Sequence, residues 1–215
     1  MSKISADKKK VIGLVSGNNT GKTSLAECFL YNAGVINRLG KVESKNTVSD
    51  YDALETNKGF SIHSSVLNYA WKNFQINFID TPGYIDFIGQ AFSALKVIDA
   101  ALLLVDPKSS TQAATERIIR MIKQEELPAF CIINKLDQEN IDFLKTVEEL
   151  KTSYGLNLVP ITIPAGVGEN FNTVIDLLKN QAFQYKPGDF KGQPSNIADS
   201  LKDEIEDQNS QLVES

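Results

Sequence analysis

The stretch Val11-Ile12-Gly13-Leu14-Val15-Ser16-Gly17-Asn18-Asn19-Thr20-Gly21-Lys22-Thr23 decides the fold. Its first five residues are an apolar run of buried-strand type, and Thr23 to Leu30 carry helical spacing until Gly34 stops them. A loop bearing two glycines is therefore strung between a strand and a helix N-terminus. Free backbone N–H groups and the positive end of the helix dipole make that junction a phosphate cradle. Ser16, Gly17, Asn18, Asn19, Thr20 and Gly21 are expected to wrap a phosphate chain, Lys22 to reach its β and γ phosphates, and the Thr23 hydroxyl to ligate magnesium. One position departs from the usual pattern, because Ser16 stands where the first glycine of such a loop belongs. Glycine admits close backbone approach and positive φ, so serine there calls for a slightly different loop geometry.

Two later segments extend the same chemistry. Phe74 to Ile79 is strand-like and delivers Asp80 at its end, followed by the turn Thr81-Pro82-Gly83-Tyr84. Asp80 is placed to hold magnesium through water, and the Gly83 N–H to sense the γ-phosphate, so that a loop there orders or relaxes with nucleotide state. The apolar run Pro128 to Ile133 then leads into Asn134-Lys135-Leu136-Asp137. A carboxylate at Asp137 can accept hydrogen bonds from N1–H and the 2-amino group of guanine, whereas adenine presents an acceptor and no amine there. Asn134 and Lys135 would brace the phosphate loop and cover the base. The ordered set reads as a site for GTP and GDP with Mg2+.

Composition and charge narrow the setting. The chain has 215 residues, of which 42% are hydrophobic, and no apolar stretch approaches the roughly 20 residues that span a bilayer. The N-terminus, Met1 to Lys10, is basic but has no apolar signal core, so a cytoplasmic protein without a membrane partner is expected. Cys28 and Cys131 read as small buried hydrophobes of a reducing compartment, and His63 as a solvated or locally bonded side chain. Residues 196 to 215 hold six acids against Lys202, which accounts for the whole net charge of −5. No basic field remains for gripping nucleic acid sequence-specifically. Ile197, Leu201, Ile205 and Leu212 fall near one face of this acidic tail, which reads as an amphipathic helix, its charged face solvated or docked on a partner.

Alternation of elements gives the architecture. Strands are expected at 11–16, 65–71, 74–80, 100–106 and 128–134, with Lys72-Asn73 turning the second into the third. Helical stripes run through Ile88, Phe92 and Leu95, through Ala114, Ile118 and Ile122, and through Phe143, Val147, Leu150 and Tyr154. Residues 35–63 are mixed and polar, which suits a mobile switch loop, and 185–194 reads as a linker. The fold class is α/β, a P-loop nucleotide-binding fold with a mostly parallel sheet and helices on both faces.

These residues resemble the translational GTPases, in particular the N-terminal G domain of elongation factor G. The likeness is carried by Gly21-Lys22-Thr23-Ser24-Leu25-Ala26-Glu27, Val48-Ser49-Asp50-Tyr51-Asp52, Ile79-Asp80-Thr81-Pro82-Gly83-Tyr84 and Pro160-Ile161-Thr162-Ile163-Pro164, over Val11 to about Phe183. It is nearest to the second-type paralogue, which has tyrosine in the second switch turn. The resemblance implies a first switch at about 40–63, a second at about 80–90, and a magnesium hydroxyl from Ser61 in Lys58-Gly59-Phe60-Ser61-Ile62. It implies a GTPase acting on the ribosome, with the stalk proteins as possible partners through an inserted subdomain. Translational GTPases typically have histidine at the Tyr84 position to orient the attacking water, so a catalytic set of Lys22, Gly83 and Tyr84 is expected to act slowly away from the ribosome. Peptide-chain release, ribosome protection, and a non-hydrolysing guanine-nucleotide sensor favoured by Tyr84 and Ser16 are the other readings.

The C-terminal third admits two organisations. A strand at 158–163 followed by Pro164-Ala165-Gly166 could be the last sheet strand and base-covering loop of a minimal GTPase. The resemblance instead implies a GTPase domain over 1–155 and the start of an inserted subdomain over 156–215, in an N-terminal fragment of a larger factor whose base pocket is completed further on.

Overall fold

The computed structural model describes residues 5–186, 188 and 191–214. Met1 to Ile4 of the basic N-terminus, Pro187, Asp189 and Phe190 of the expected linker, and Ser215 lie outside the described residues. The chain divides into two compact units, Met1–Asn134 and Lys135–Ser215.

The first unit is built on a five-stranded sheet whose strands lie in the order β2 (Ser65–Trp71), β3 (Phe74–Asp80), β1 (Lys9–Val15), β4 (Ala100–Val105), β5 (Ala129–Ile133). Strand β1 lies parallel to β3 and to β4, and β5 continues the parallel set. Only β2 runs antiparallel, joined to β3 by a tight turn with Lys72 at φ 51°. All five strands fall within two residues of the expected bounds. Alternation across β1 explains the layering: Leu14 joins Leu67, Phe78 and Leu104 in a core with Ala26 and Leu30 of α1 (Lys22–Asn32). Gly13 points to the other face, where a side chain would meet Ile98 at 2.7 Å. Helices α3 (Ile88–Leu95) and α4 (Ala113–Gln124) bury Ala91, Ala94, Leu95, Ile118, Ile119 and Ile122. Cys28 and Cys131 are free and half-buried, and burial pushes the Cys131 thiol up to about 11.

The segment expected as a mobile switch loop is constructed from internal contacts. It contains a short helix α2 (Ala53–Lys58), started by a capping box between Asp52 and Glu55 and ended by Gly59 in the left-handed region at φ 74°. Glu55 is buried, and its carboxylate also accepts the backbone N–H groups of Ile62 and His63, each at 2.9 Å. The polarity of 40–63 therefore serves its own hydrogen bonds as much as solvent.

The second unit contains α5 (Phe143–Tyr154) and an antiparallel sheet, β6 (Thr162–Pro164), β7 (Thr173–Asp176), β8 (Gln181–Gln184) and β9 (Gln193–Ser195). A strand over 158–163 in the main parallel sheet is thereby corrected, because β6 pairs antiparallel with β7 in the second sheet. The amphipathic tail forms α6 (Lys202–Glu214) after a single 3-10 turn at Asp199–Leu201. Its Ile205 is buried with Ile163, Ile175, Leu177 and Ala182, and Ile197, Leu201 and Leu212 pack around them. The apolar face of the tail is thus occupied by the sheet of its own unit. Phe143 packs against the same cluster, so the compact unit takes in α5 ahead of residue 156.

Candidate functional site

Parallel pairing fixes the site. Leu14 is opposite Asp80 in the β1–β3 register, so the phosphate loop and the Asp80 turn leave neighbouring strands at the same level. The Thr81 hydroxyl donates to the Leu14 carbonyl at 2.8 Å, tying the two exits together. Within the loop, left-handed backbone falls at Asn19 (φ 56°) and Gly21 (φ 97°), while Ser16 keeps ordinary backbone. The first position of the loop therefore needs no glycine for its torsion, and asparagine is among the residues that best tolerate the conformation at 19. The Asn134 amide donates to the Thr20 carbonyl at 2.8 Å, bracing the loop from the end of β5. A side chain at Gly21 would strike that amide at 2.5 Å.

Lys22, Thr23 and Asp80 converge below this loop. The Lys22 ammonium is buried and donates to the Ser16 hydroxyl and the Gly17 carbonyl, both at 2.9 Å. The Ser16 hydroxyl also bonds that of Thr20, so the serine substitutes for a glycine by joining a hydroxyl network inside the loop. Thr23 Oγ1 donates to Asp80 Oδ2 at 3.2 Å. Burial lowers Lys22 to about 8 against the pull of Asp80 and Asp50, and burial raises Asp80 to about 6 against the pull of Lys22, with Asp50 adding to the rise. Asp80 Oδ1 is buried and finds no partner among the described residues. An unanswered carboxylate oxygen beside a threonine hydroxyl suits a hydrated hard cation, which takes oxygen ligands and keeps several waters. Gly83 closes the space from above: a Cβ there would lie 2.5 Å from the Gly17 carbonyl and 2.6 Å from Lys22 Nζ.

The first-switch segment brings Ser61 to Asp50. Ser61 Oγ donates to Asp50 Oδ1 at 2.6 Å, and Thr47 to Oδ2 at 3.4 Å. Burial pushes Asp50 upward, the Ser61 hydrogen bond opposing it. Asp50 was not among the residues expected from sequence; its signal is an acid in an otherwise mixed loop, visible only once the loop is folded. Tyr84 stacks obliquely on Phe60, with centroids 4.5 Å apart, and Phe87 lies 6.4 Å from Phe60. Pro82 is buried behind the turn. Lys135 and Asp137 belong to the second unit, where Lys135 takes φ 58°, Leu136 is buried and Asp137 is exposed. The Gly168 N–H donates to the Leu136 carbonyl at 2.7 Å, which ties the loop after β6 to this turn.

Known proteins resemble this chain over most of its length. Residues 8–211 match the family model described as the elongation factor Tu GTP binding domain. The chain is 30% identical over 203 residues to elongation factor G of Mycoplasma pneumoniae, covering 94% of this chain and 30% of that protein. It is 33% identical over 175 residues to the mitochondrial ribosome-releasing factor 2 of Danio rerio, covering 81% of this chain and 23% of that one. A crystal structure from Thermus thermophilus superposes with a TM-score of 0.89 at 27% identity, over 95% of this chain and 30% of the other. The chain thus spans less than a third of the length of each of these proteins.

Proposed function

This chain belongs to the elongation factor Tu GTP-binding domain family, and on that premise we propose that it is the guanine-nucleotide switch of a ribosomal translation factor of the elongation factor G type. The observation that carries this reading is the convergence of Lys22, Thr23 and Asp80 beneath the Gly83 turn at the ends of two parallel strands. The loop amides and Lys22 bind and orient the phosphates, Lys22 leaving its two neutral oxygen partners to do so. Thr23 and Ser61 would hold magnesium, and Asp80 would support it through water. Bound magnesium supplies charge neutralisation for the phosphate oxygens. Asp137 selects guanine, and Asn134 and Lys135 brace the phosphate loop and cover the base.

In the reaction, water adds to the γ-phosphorus, the bond from it to the β–γ bridging oxygen breaks, and the proton ends on inorganic phosphate. The Gly83 N–H faces the γ-phosphate, and Tyr84 orients the water. Tyr84 also supports assignment to the second-type paralogue. A GTPase domain over 1–155, with the beginning of an inserted subdomain over 156–215, belongs to the same proposal, as do the cytoplasm as its location and the ribosome, with its stalk proteins, as its partner.

Titration calorimetry with GTP, GDP and ATP in magnesium tests the reading. GTP and GDP should bind and ATP should not. Asp137→Asn exchanges an acceptor for a donor, and should weaken GTP by about 1–3 kcal/mol while admitting xanthosine nucleotides. Unchanged GTP affinity in that variant removes Asp137 from the base site.

A further inference from the structure

Glu27 is a charged residue inside α1 that none of the roles above uses. It is 1% exposed and lies one helical turn after Thr23, on the same helix face. Each carboxylate oxygen takes a backbone N–H from the first-switch segment: Oε2 from Gly40 at 2.8 Å and Oε1 from Val48 at 2.6 Å. Between those two amides the chain folds on itself, with the Lys41 N–H on Asn46 Oδ1 at 2.7 Å and a Ser44 N–H to Lys41 carbonyl bond at 3.1 Å. The carboxylate therefore grips both ends of a preformed knuckle. Gly40 is fitted to this grip, since a Cβ there would lie 2.6 Å from Glu27 Oε2 and 2.7 Å from the Asn46 carbonyl.

The residues just beyond Val48 make the grip consequential. Asp50, two residues on, receives the Ser61 hydroxyl, and the Ser49 carbonyl receives the Ser65 hydroxyl at 2.6 Å, at the start of β2. The path from the helix that carries Lys22 and Thr23 to the Ser61 hydroxyl is a chain of direct hydrogen bonds broken only by two peptide units. We propose that Glu27 is a positioning residue of the switch, clipping the 40–48 knuckle to α1 and thereby presenting Ser61 to the cation held by Thr23. The inference rests on the guanine-nucleotide reading given above. A carboxylate suits the task because it offers an acceptor to each amide, whereas glutamine would turn an NH2 toward a buried N–H.

The test uses the whole chain and two variants, Glu27→Gln and Gly40→Ala, which break the grip from opposite sides. Amide hydrogen exchange without nucleotide reads the clip itself. Exchange at Gly40 in Glu27→Gln and at Val48 in both variants should accelerate at least about tenfold, the scale of one charge-assisted hydrogen bond. Exchange at Ile62 and His63, held by Glu55, should stay within about twofold and so report that the fold is intact. The second arm measures binding of a non-hydrolysable GTP analogue with magnesium and with EDTA. The gain in affinity that magnesium confers should fall about tenfold in both variants, and GDP affinity in EDTA should change by less than about twofold. Unchanged exchange at Gly40 and Val48 overturns the clip. Faster exchange with the magnesium gain intact overturns the positioning role and leaves Glu27 a purely structural acid. A wild-type chain that binds no guanine nucleotide overturns the underlying reading and this proposal with it, and is recognised without reference to the exchange data.

Discussion

Burial acts on Lys22 and Asp80 in opposite directions, and without nucleotide the pair disfavours folding most strongly when both are charged. Asp80 is raised from 3.8 to about 6 in the folded chain, so its contribution to stability is full below pH 4 and is lost as pH rises through 6. Lys22 is lowered from 10.5 to about 8, so its contribution is full above 10.5 and is lost as pH falls through 8. The nucleotide-free chain should accordingly show a dip in thermal stability between pH 6 and 8 from these two groups. Asp80→Asn, which mimics the neutral acid, should abolish the decline between pH 4 and 6 and raise the melting temperature near pH 7 by roughly a few degrees. A decline that persists in the variant assigns it to other acids. At Tyr84 the prediction is kinetic. GTPases without a full water-positioning and charge-neutralising set turn over at about 10⁻⁴ to 10⁻² per second, and the chain alone should fall in that range. Single-turnover hydrolysis should be slower for Tyr84→Phe, which loses the hydroxyl but keeps the ring on Phe60, and at least as fast for Tyr84→His. Equal rates in all three would leave the water to another group.

Among the helices and strands, what was legible depends on the physical signal each one carries. Strands β1, β4 and β5 carry apolar runs and β3 alternates apolar with polar residues, each ending in turn or motif residues, and α1, α3, α4 and α5 bury a stripe, so period and length reveal them. Helix α2 was not anticipated, because six residues give no stripe. Its signal was local, an Asp52-x-x-Glu55 box in a segment that polarity alone marks as loop. Strands β7 and β8 are four residues each and become a sheet only through their pairing with one another and with β6 and β9. In the site, the phosphate-loop and Asp80 residues were readable because their spacing along the chain is fixed by chemistry. Glu27 and Asp50 were not, since their partners lie 13 to 21 and 11 residues away in a loop without period. The two acids of α2 should differ accordingly. Asp52→Ala removes one N-cap and should cost about 1 kcal/mol. Glu55→Ala removes the acceptor of the part-buried Ile62 and His63 amides and should cost about 2 kcal/mol, the lower end of the scale of about 1–3 for each group left unsatisfied. Urea unfolding of both variants checks the ranking, and equal losses would mean that the 60–63 amides find other acceptors.

Over the full chain, the two units draw their stability from different residues, and the second depends on an acidic helix for its lid. Asp199, Asp203, Glu204, Glu206 and Asp207 repel one another and favour solvent, so the helix is retained by its apolar positions, chiefly Ile205 at 4% exposure. Those positions cover Ile163, Ile175 and Ala182 from three strands too short to be stable as an isolated sheet. Ile205→Ala should leave a cavity that the short sheet cannot close, at a cost of about 2–4 kcal/mol to the second unit. Hydrogen exchange is the appropriate measure, because a single melting temperature is ill defined for a chain of two compact units. Amides paired between β7 and β8, such as those of Val174 and Phe183, should exchange at least about thirtyfold faster in the variant, the factor to which about 2 kcal/mol corresponds. Amides of β1 and β3, whose core is built from Leu14, Phe78 and Leu104, serve as the reference within the same molecule. Added salt should narrow the difference between variant and parent only slightly, since screening relieves repulsion among the acids without replacing the lost methyl contacts. A β7–β8 exchange rate indifferent to Ile205→Ala would show that the sheet is held by its own pairing, and that α6 rests on it without stabilising it.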